Sequence, residues 1–177
     1  QGELIQLDAV QNLDITLNQL KKISYFKTGR LFEASAKTGA IIANESVKYR
    51  ENISKSAKNL GILFQIKDDL LDYSEDKTIG KPIFQDIKEG KVTYPFYFAY
   101  KNANTMQKRQ LKKLLLSSRK IKKDDIDLIK SLEGITKTKK LASQYHQRSV
   151  KYAKQIKSLN IREEMIELAN AALYRKK

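Results

Sequence analysis

Apolar residues recur at helical spacing along most of this chain, and little interrupts them. Its 177 residues include seven glycines and two prolines, and both prolines, Pro82 and Pro95, lie in one central region. Because glycine and proline are the strongest helix breakers, this distribution predicts an all-α protein built as a helical bundle. The predicted helices cover residues 16–44, 60–73, 105–118, 122–132, 136–158 and 162–174, with Gly134 and Asn160 as breakers and a further helix starting near Pro95.

Residues 60–73 carry a polar stripe between apolar flanks. On a helix, Gln65, Asp68, Asp69 and Asp72 fall at i, i+3, i+4 and i+7, which places them on one face. Three carboxylates crowded in partly dry surroundings repel one another unless a cation compensates them. Because the chain has no cysteine and one histidine, the oxygen ligands favour a hard divalent ion, magnesium first.

A polar loop, residues 75–94, follows this helix. Lys81 and Lys91 supply positive charges within it, and Gly80 and Gly90 let the backbone bend or approach a ligand closely. We therefore expect a mobile loop that closes over a phosphate bound at the carboxylates. The alternative is a solvated surface helix followed by a charged loop, which a DDxxD pattern alone would not exclude.

Four patterns occur in order within residues 61–95, namely GxxFQxxDD, DDxxD, GKxxxxD and EGKxTxP. Together they resemble the second aspartate-rich region of the trans-type isoprenyl diphosphate synthases, and an ordered set is far more specific than one motif. The resemblance implies that Asp68 and Asp72 hold magnesium bound to the allylic diphosphate, with Asp69 supporting them. It also implies that Gln65 lies near the reacting allylic carbon.

The same resemblance gives roles to basic residues. It implies that Lys81 and Lys91 contact the diphosphate. Upstream, Lys27 and Thr28 fit the family's KTxxLF pattern, although Gly29 stands where alanine is more usual. Lys27 would bind the diphosphate, and its carbonyl and the Thr28 hydroxyl would face the developing carbocation. Without the aspartate region, Lys27 would be read as one of many surface lysines.

The beginning of the chain also matches the family. Gly2, Glu3 and Gln6 fit a GExxQ segment that closes a helix following the first aspartate-rich motif. That first motif is absent from the chain, and so is the isopentenyl diphosphate site that goes with it. We therefore expect residues 1–177 to be the C-terminal portion of one all-helical domain of the isoprenoid synthase type, incomplete at its N-terminal side and inactive alone.

Small residues line one side of the helix predicted over residues 16–44. Gly29, Ala36 and Ala43 recur every seven residues there. One explanation is close packing against another helix. The other is the wall of an apolar tunnel that holds a growing polyprenyl chain. The spacing alone does not separate the two.

The formal net charge of +15 is concentrated in the second part of the chain. Residues 1–100 contain 14 Lys and Arg against 13 Asp and Glu, whereas residues 101–177 contain 21 against 7. Such a surface can contact an anionic membrane or nucleic acid. We expect at most a weak membrane association and no nucleic-acid binding. The lack of cysteine and of a signal peptide favours a cytoplasmic protein.

The resemblance implies a prenyltransferase that condenses an allylic diphosphate with isopentenyl diphosphate, with magnesium as cofactor, and that works as a homodimer. Product length is left open, with octaprenyl as a guess. Two alternatives remain. One is a noncatalytic regulatory subunit of a heteromeric synthase, against which the intact carboxylate stripe argues. The other is a basic helical module that binds nucleic acid or membranes.

Overall fold

The computed structural model describes residues 1–74, 84–117 and 121–175. Within these ranges all regular secondary structure is helical, which confirms the all-α prediction. None of the helices formed by the described residues is long and apolar enough to cross a membrane. The helices are α1 (Gly2–Leu7), α2 (Leu17–Ser24), α3 (Arg30–Ile42), α4 (Val47–Leu71), α5 (Gln85–Lys88), α6 (Tyr94–Asn102), α7 (Thr105–Leu116), α8 (Lys123–Ser131), α9 (Gly134–Ala153) and α10 (Leu159–Tyr174), and a π-helical turn (Tyr25–Gly29) joins α2 to α3.

Helix α4 lies at the centre of the bundle and contacts α2, α3, α6, α9 and α10. It begins well before the predicted start near residue 60, because the Ser46 side chain accepts a 3.3 Å hydrogen bond from the Tyr49 backbone N–H and caps the helix. Leu63 and Ile66 on α4 have no exposed surface. Since neighbouring helices cover α4 on several sides, the polar side chains near its C-terminal end are held inside the bundle.

The stretch predicted as one helix over residues 16–44 is helical but changes its winding in the middle. It begins with a capping box at Thr16 and then passes through the π-helical turn. A π-helical turn accommodates one extra residue and occurs frequently at functional sites. In this chain it presents Thr28 toward Gln65 on the central helix α4 and Lys27 toward Glu3 and Gln6 on α1.

Two glycines allow the π-helical turn to lie directly against α4. A Cβ atom on Gly61 would lie 2.7 Å from the Gly29 Cα atom and 3.1 Å from the Phe32 Cβ atom. These distances leave no room for a side chain at position 61. Gly29 therefore belongs to a close helix contact, which is the first of the two explanations for the row of small residues.

The ends of the two C-terminal helices differ from the prediction. Gly134, expected to break a helix, is the first residue of α9, and a Cβ atom there would lie 2.3 Å from the Pro95 carbonyl oxygen. The predicted break between α8 and α9 is present, at Leu132 and Glu133, but the close approach of α6 is what requires glycine at position 134. Helix α9 ends earlier and α10 starts earlier than predicted, so that Asn160 lies within α10. Ile156, in the turn between them, is fully buried, so packing helps to fix these boundaries.

Candidate active site

The polar stripe lies at the C-terminal end of α4. Gln65 and Asp69 are buried, with 8% and 7% of their surface exposed, whereas 49% of the Asp68 side chain is exposed. The Gln65 amide nitrogen donates a 3.1 Å hydrogen bond to Asp69 Oδ1. Asp72 follows directly at the end of the helix. The three carboxylates predicted to bind metal are therefore gathered within two turns.

Asp69 is the most enclosed carboxylate of the stripe. Burial raises its pKa to about 8, and the charges of Asp86 and Asp68 add to this rise. Hydrogen bonds from the Gln65 amide and from the Tyr94 backbone N–H, which lies 3.4 Å from Asp69 Oδ2, lower the pKa. Without a bound cation, burial therefore favours the protonated form of Asp69.

Asp72 holds the start of α5 against the end of α4. Its Oδ1 atom accepts a hydrogen bond from the Gln85 backbone N–H at 2.8 Å, and its Oδ2 atom accepts one from the Asp86 N–H at 3.2 Å. Burial raises the pKa of Asp72, and these two hydrogen bonds lower it. Because a carboxylate has about four lone-pair positions, Asp72 can hold α5 and still bind a cation.

Asp86 joins this cluster, although the sequence reasoning gave it no role. Burial, followed by the charge of Asp72, raises its pKa to about 6, while the charges of Lys91 and Lys27 lower it. Asp86 thus lies within electrostatic reach of a predicted metal ligand and of two predicted diphosphate ligands. The signal that could have identified it is its place as the last residue of the GKxxxxD pattern.

A hydrogen-bonded chain connects the π-helical turn with the carboxylates. The Thr28 hydroxyl donates to the Gln65 side-chain oxygen at 2.9 Å, and the Gln65 amide nitrogen donates to Asp69. Both ends of the Gln65 amide are therefore fixed, which sets its orientation. The structure brings together two of the three residues, Thr28 and Gln65, that were predicted to lie beside the reacting carbon.

Lys27, the third of these residues, also lies in the π-helical turn. Its ammonium group donates to the Gln6 side-chain oxygen at 2.9 Å and forms an ion pair with Glu3 at 3.0 Å. About a quarter of the Lys27 side chain is exposed, at 26%. Lys27 is thus a partly enclosed lysine with fixed partners, which distinguishes it from the surface lysine that was the alternative.

Two other lysines were predicted to bind diphosphate. Lys91 forms an ion pair with Glu89, and 21% of its side chain is exposed. Lys81 lies within residues 75–83, outside the described residues. The loop predicted over residues 75–94 is in part helical, since Gln85–Lys88 form α5 and Tyr94 begins α6. The role of Lys81 and the mobility of this segment stay predictions.

Arg175, directly after α10, reaches the same end of α4, and sequence reasoning missed it. Its guanidinium donates to Asp68 Oδ1 at 3.2 Å and to the Phe64 carbonyl oxygen at 3.1 Å. It also lies over the Phe64 ring, 3.8 Å from the ring centroid. Since 107 residues separate Arg175 from Asp68, no local pattern could have indicated this contact.

An apolar cavity of about 690 Å³ opens beside Arg175, between α3, α4 and α10. Ala36 and Phe64 are among its lining residues. A second cavity of about 510 Å³ shares Ala36 and is also lined by Gly39 and Ala43. The row of small residues therefore serves two purposes, since Gly29 makes a close helix contact while Ala36 and Ala43 border open apolar space.

The described carboxylates suit a hard cation but do not enclose one. In the described ranges, no three His, Cys, Asp or Glu side chains form a group that could hold a metal ion by themselves. Magnesium commonly takes one or two carboxylates and fills its other positions with water and phosphate oxygens. The raised pKa values of Asp69, Asp72 and Asp86 indicate carboxylates short of compensating positive charge. These donors therefore fit a hard divalent cation such as magnesium that takes its remaining oxygen ligands from water or from a bound anion.

Comparisons with known proteins identify the family of this chain. The Polyprenyl synthetase family matches residues 1–132. Octaprenyl diphosphate synthase of Escherichia coli (strain K12) is 28% identical over 178 residues, covering 99% of this chain and 55% of its own length. All-trans-nonaprenyl-diphosphate synthase (geranyl-diphosphate specific) of Rhodobacter capsulatus is 30% identical over 177 residues, covering 99% of this chain and 54% of its own. The chain spans about half the length of these two relatives.

Solved structures show the same fold. A decaprenyl diphosphate synthase from Rhodobacter capsulatus has a TM-score of 0.90 at 27% identity, covering 99% of this chain and 55% of its own. A polyprenyl synthase from Caulobacter crescentus CB15, complexed with calcium and isoprenyl diphosphate, gives the same four values. The family match covers well over half of the sequence, and the shared fold extends over nearly all of it. This chain belongs to the polyprenyl synthetase family.

Proposed function

We propose that this chain is the C-terminal portion of a trans-polyprenyl diphosphate synthase, a prenyltransferase that joins an allylic diphosphate to isopentenyl diphosphate. The observation that carries the proposal is a carboxylate cluster joined by hydrogen bonds to the segments that carry Lys27 and Lys91. The Thr28 hydroxyl bonds Gln65, which bonds Asp69. Asp72 accepts from the backbone of Asp86, and the Asp86 carbonyl accepts from the backbone of Lys91. Such a cluster is costly unless cations compensate it. Lysines would be superfluous beside a purely metal-binding site, but they are needed where the ligand is a metal diphosphate.

Diphosphate binding would be divided between carboxylates and lysines. Asp68 and Asp72 would hold magnesium, with Asp69 in support, and bound magnesium would draw charge from the departing diphosphate. The related Caulobacter crescentus synthase was solved with calcium and isoprenyl diphosphate, which supports a divalent cation near such a ligand. Lys27 and Lys91, together with Lys81, would contact phosphate oxygens directly.

Stabilisation of the carbocation would come from oxygen atoms that are fixed before the reaction. The Thr28 hydroxyl donates a hydrogen bond to the Gln65 side-chain oxygen, so the lone pairs of the Thr28 oxygen remain able to face a positive charge. The Lys27 carbonyl would act in the same way. Dipoles that are already oriented stabilise a developing charge without reorganising during the reaction.

The proposed reaction is electrophilic chain extension. The bond between the allylic carbon and the diphosphate oxygen breaks, and the double bond of isopentenyl diphosphate attacks the resulting cation. Loss of a proton, with the released diphosphate as the proposed base, completes each addition. The apolar cavity beside Phe64 would hold the prenyl chain. A homodimer, a cytoplasmic location and weak membrane contact stay predictions.

The proposal can be tested with Asp68→Ala in a polypeptide that also carries the first aspartate-rich motif. Asp127→Ala is the matched control, since Asp127 lies on α8 and 51% of its side chain is exposed. Lys88 is unsuitable as a control because its charge acts on Asp72.

Loss of Asp68 should lower kcat by on the order of 10² to 10³, because the contact strengthens as the carbon–oxygen bond breaks. The Asp127 variant should turn over normally. Circular dichroism would verify that both variants fold. If Asp68→Ala kept near-normal turnover at limiting magnesium, the assignment of this face of α4 as the metal site would be wrong.

A further inference from the structure

Helix α1 lies directly against the π-helical turn that carries Lys27. A Cβ atom on Gly2 would lie 2.3 Å from the Lys27 backbone nitrogen and 2.5 Å from the Lys27 Cα atom. Gly2 is buried, and no other residue would allow this approach. The backbone position of Lys27 is therefore set by contact with α1, independently of what its side chain binds.

The side chain of Lys27 is held by the same helix. Glu3 and Gln6, three positions apart and so on one face of α1, accept from the Lys27 ammonium at 3.0 Å and 2.9 Å. A lysine ammonium has three N–H donors. With two of these donors bonded to acceptors on α1, the direction of the third donor is restricted, whereas a free four-carbon side chain would leave it variable.

We propose that Glu3 and Gln6 are positioning residues that aim the remaining N–H of Lys27 at the diphosphate. This inference rests on the proposed function, in which Lys27 binds that group. Two observations support the direction: Thr28, the next residue of the same turn, bonds Gln65, which in turn bonds Asp69 of the carboxylate cluster, and about three quarters of the Lys27 side chain is enclosed. The GExxQ pattern would thus act on the substrate through Lys27 rather than by touching it.

The physical gain is preorganisation. A lysine that is free to rotate loses much of its side-chain entropy when it binds a ligand, whereas a lysine that is already fixed loses little. Removing one acceptor should therefore weaken diphosphate binding by about 3- to 10-fold. The carboxylate of Glu3 also opposes an anionic ligand, so its acceptor role and its charge must be separated by experiment.

The test is calorimetric titration of the protein with inorganic pyrophosphate and magnesium, which requires no turnover. Gln6→Ala removes an acceptor without changing charge and should weaken binding by about 3- to 10-fold. Glu3→Gln keeps an acceptor and should bind as the wild type or tighter, while Glu3→Ala should bind more weakly than Glu3→Gln. Gln1→Ala is the matched control, because Gln1 bonds Arg30 instead of Lys27, and it should bind normally.

A double-mutant cycle with Lys27→Ala separates positioning from general damage to α1. With Lys27 absent, Gln6→Ala should have no further effect on the dissociation constant. Equal effects of Gln6→Ala in both backgrounds, or equal affinities of Glu3→Ala and Glu3→Gln, would overturn the inference. If Lys27→Ala itself left pyrophosphate binding unchanged, the proposed role of Lys27 would fail first. If Lys27→Ala weakened binding and Gln6→Ala did not, only the positioning role would fail.

Discussion

Replacing Asp69 by asparagine removes a buried charge while nearly preserving the size of the side chain. In the folded protein the pKa of Asp69 is about 8, because of burial and the charges of Asp86 and Asp68, against an ordinary value of 3.8. The folded state therefore binds the proton more tightly than the unfolded state does. The resulting stabilisation is complete below the unfolded pKa and is lost as the pH rises through the folded pKa.

The size of the effect follows from this difference. Between the two pKa values, each pH unit changes the free energy of unfolding by about 1.4 kcal/mol. Asp69→Asn cannot ionise, so its stability relative to the wild type should rise by about 3 kcal/mol between about pH 5 and about pH 7. Near pH 5 the variant should gain little. Gln65 donates to Oδ1 of Asp69 and the Tyr94 N–H to Oδ2, and asparagine keeps only one of these oxygens, so one donor loses its acceptor at a cost of about 1 kcal/mol.

Urea unfolding followed by far-UV circular dichroism, in the presence of a chelator and over this pH range, measures the difference. Asp127→Asn provides the matched control, since that carboxylate is largely exposed and its replacement should change little at any pH. Subtracting the free energy of unfolding of the wild type from that of each variant at the same pH removes, to first order, the contributions of the other carboxylates. A difference for Asp69→Asn that did not change with pH would show that Asp69 is ionised in the metal-free fold, and the reasoning about an under-compensated cluster would be refuted.

Three further outcomes are expected. Gly61→Ala should lower the free energy of unfolding, measured by urea titration, by about 1 to 3 kcal/mol, because its Cβ atom would lie 2.7 Å from the Gly29 Cα atom. The control Gly39→Ala should raise it by up to about 1 kcal/mol, because nothing lies within 4 Å of that Cβ atom. Ala36→Phe should shorten the prenyl product, measured by chromatography of labelled products, while sparing the first condensation, and Ala34→Phe, at an exposed position of the same helix, should leave the length unchanged. A product of wild-type length from Ala36→Phe would assign Ala36 to helix packing. Residues 1–177 alone should form no elongated product from an allylic diphosphate, labelled isopentenyl diphosphate and magnesium, and any labelled product would mean that the second substrate site was misplaced.

Local spacing in the sequence was enough to predict the helical class and the stripe of α4. Positions i, i+3, i+4 and i+7 share a face on any α-helix, so Gln65, Asp68, Asp69 and Asp72 were placed together before any tertiary contact was known. The ordered patterns around them predicted the family, which the match over residues 1–132 confirms. The scarcity of glycine and proline predicted the fold class for a similarly local reason.

Only the tertiary structure decided how the charges of the site are balanced. Arg175 bonds Asp68 across 107 residues, and the charge of Asp86, on another helix, raises the pKa of Asp69. Burial and the distance between charges depend on how separate helices pack, and neither has a signature at short range in the sequence. The same holds for Gly134, which a local interpretation took for a breaker. Glycine is required at this position because a Cβ atom would collide with the Pro95 carbonyl oxygen on α6, and that contact exists only once the helices are packed together.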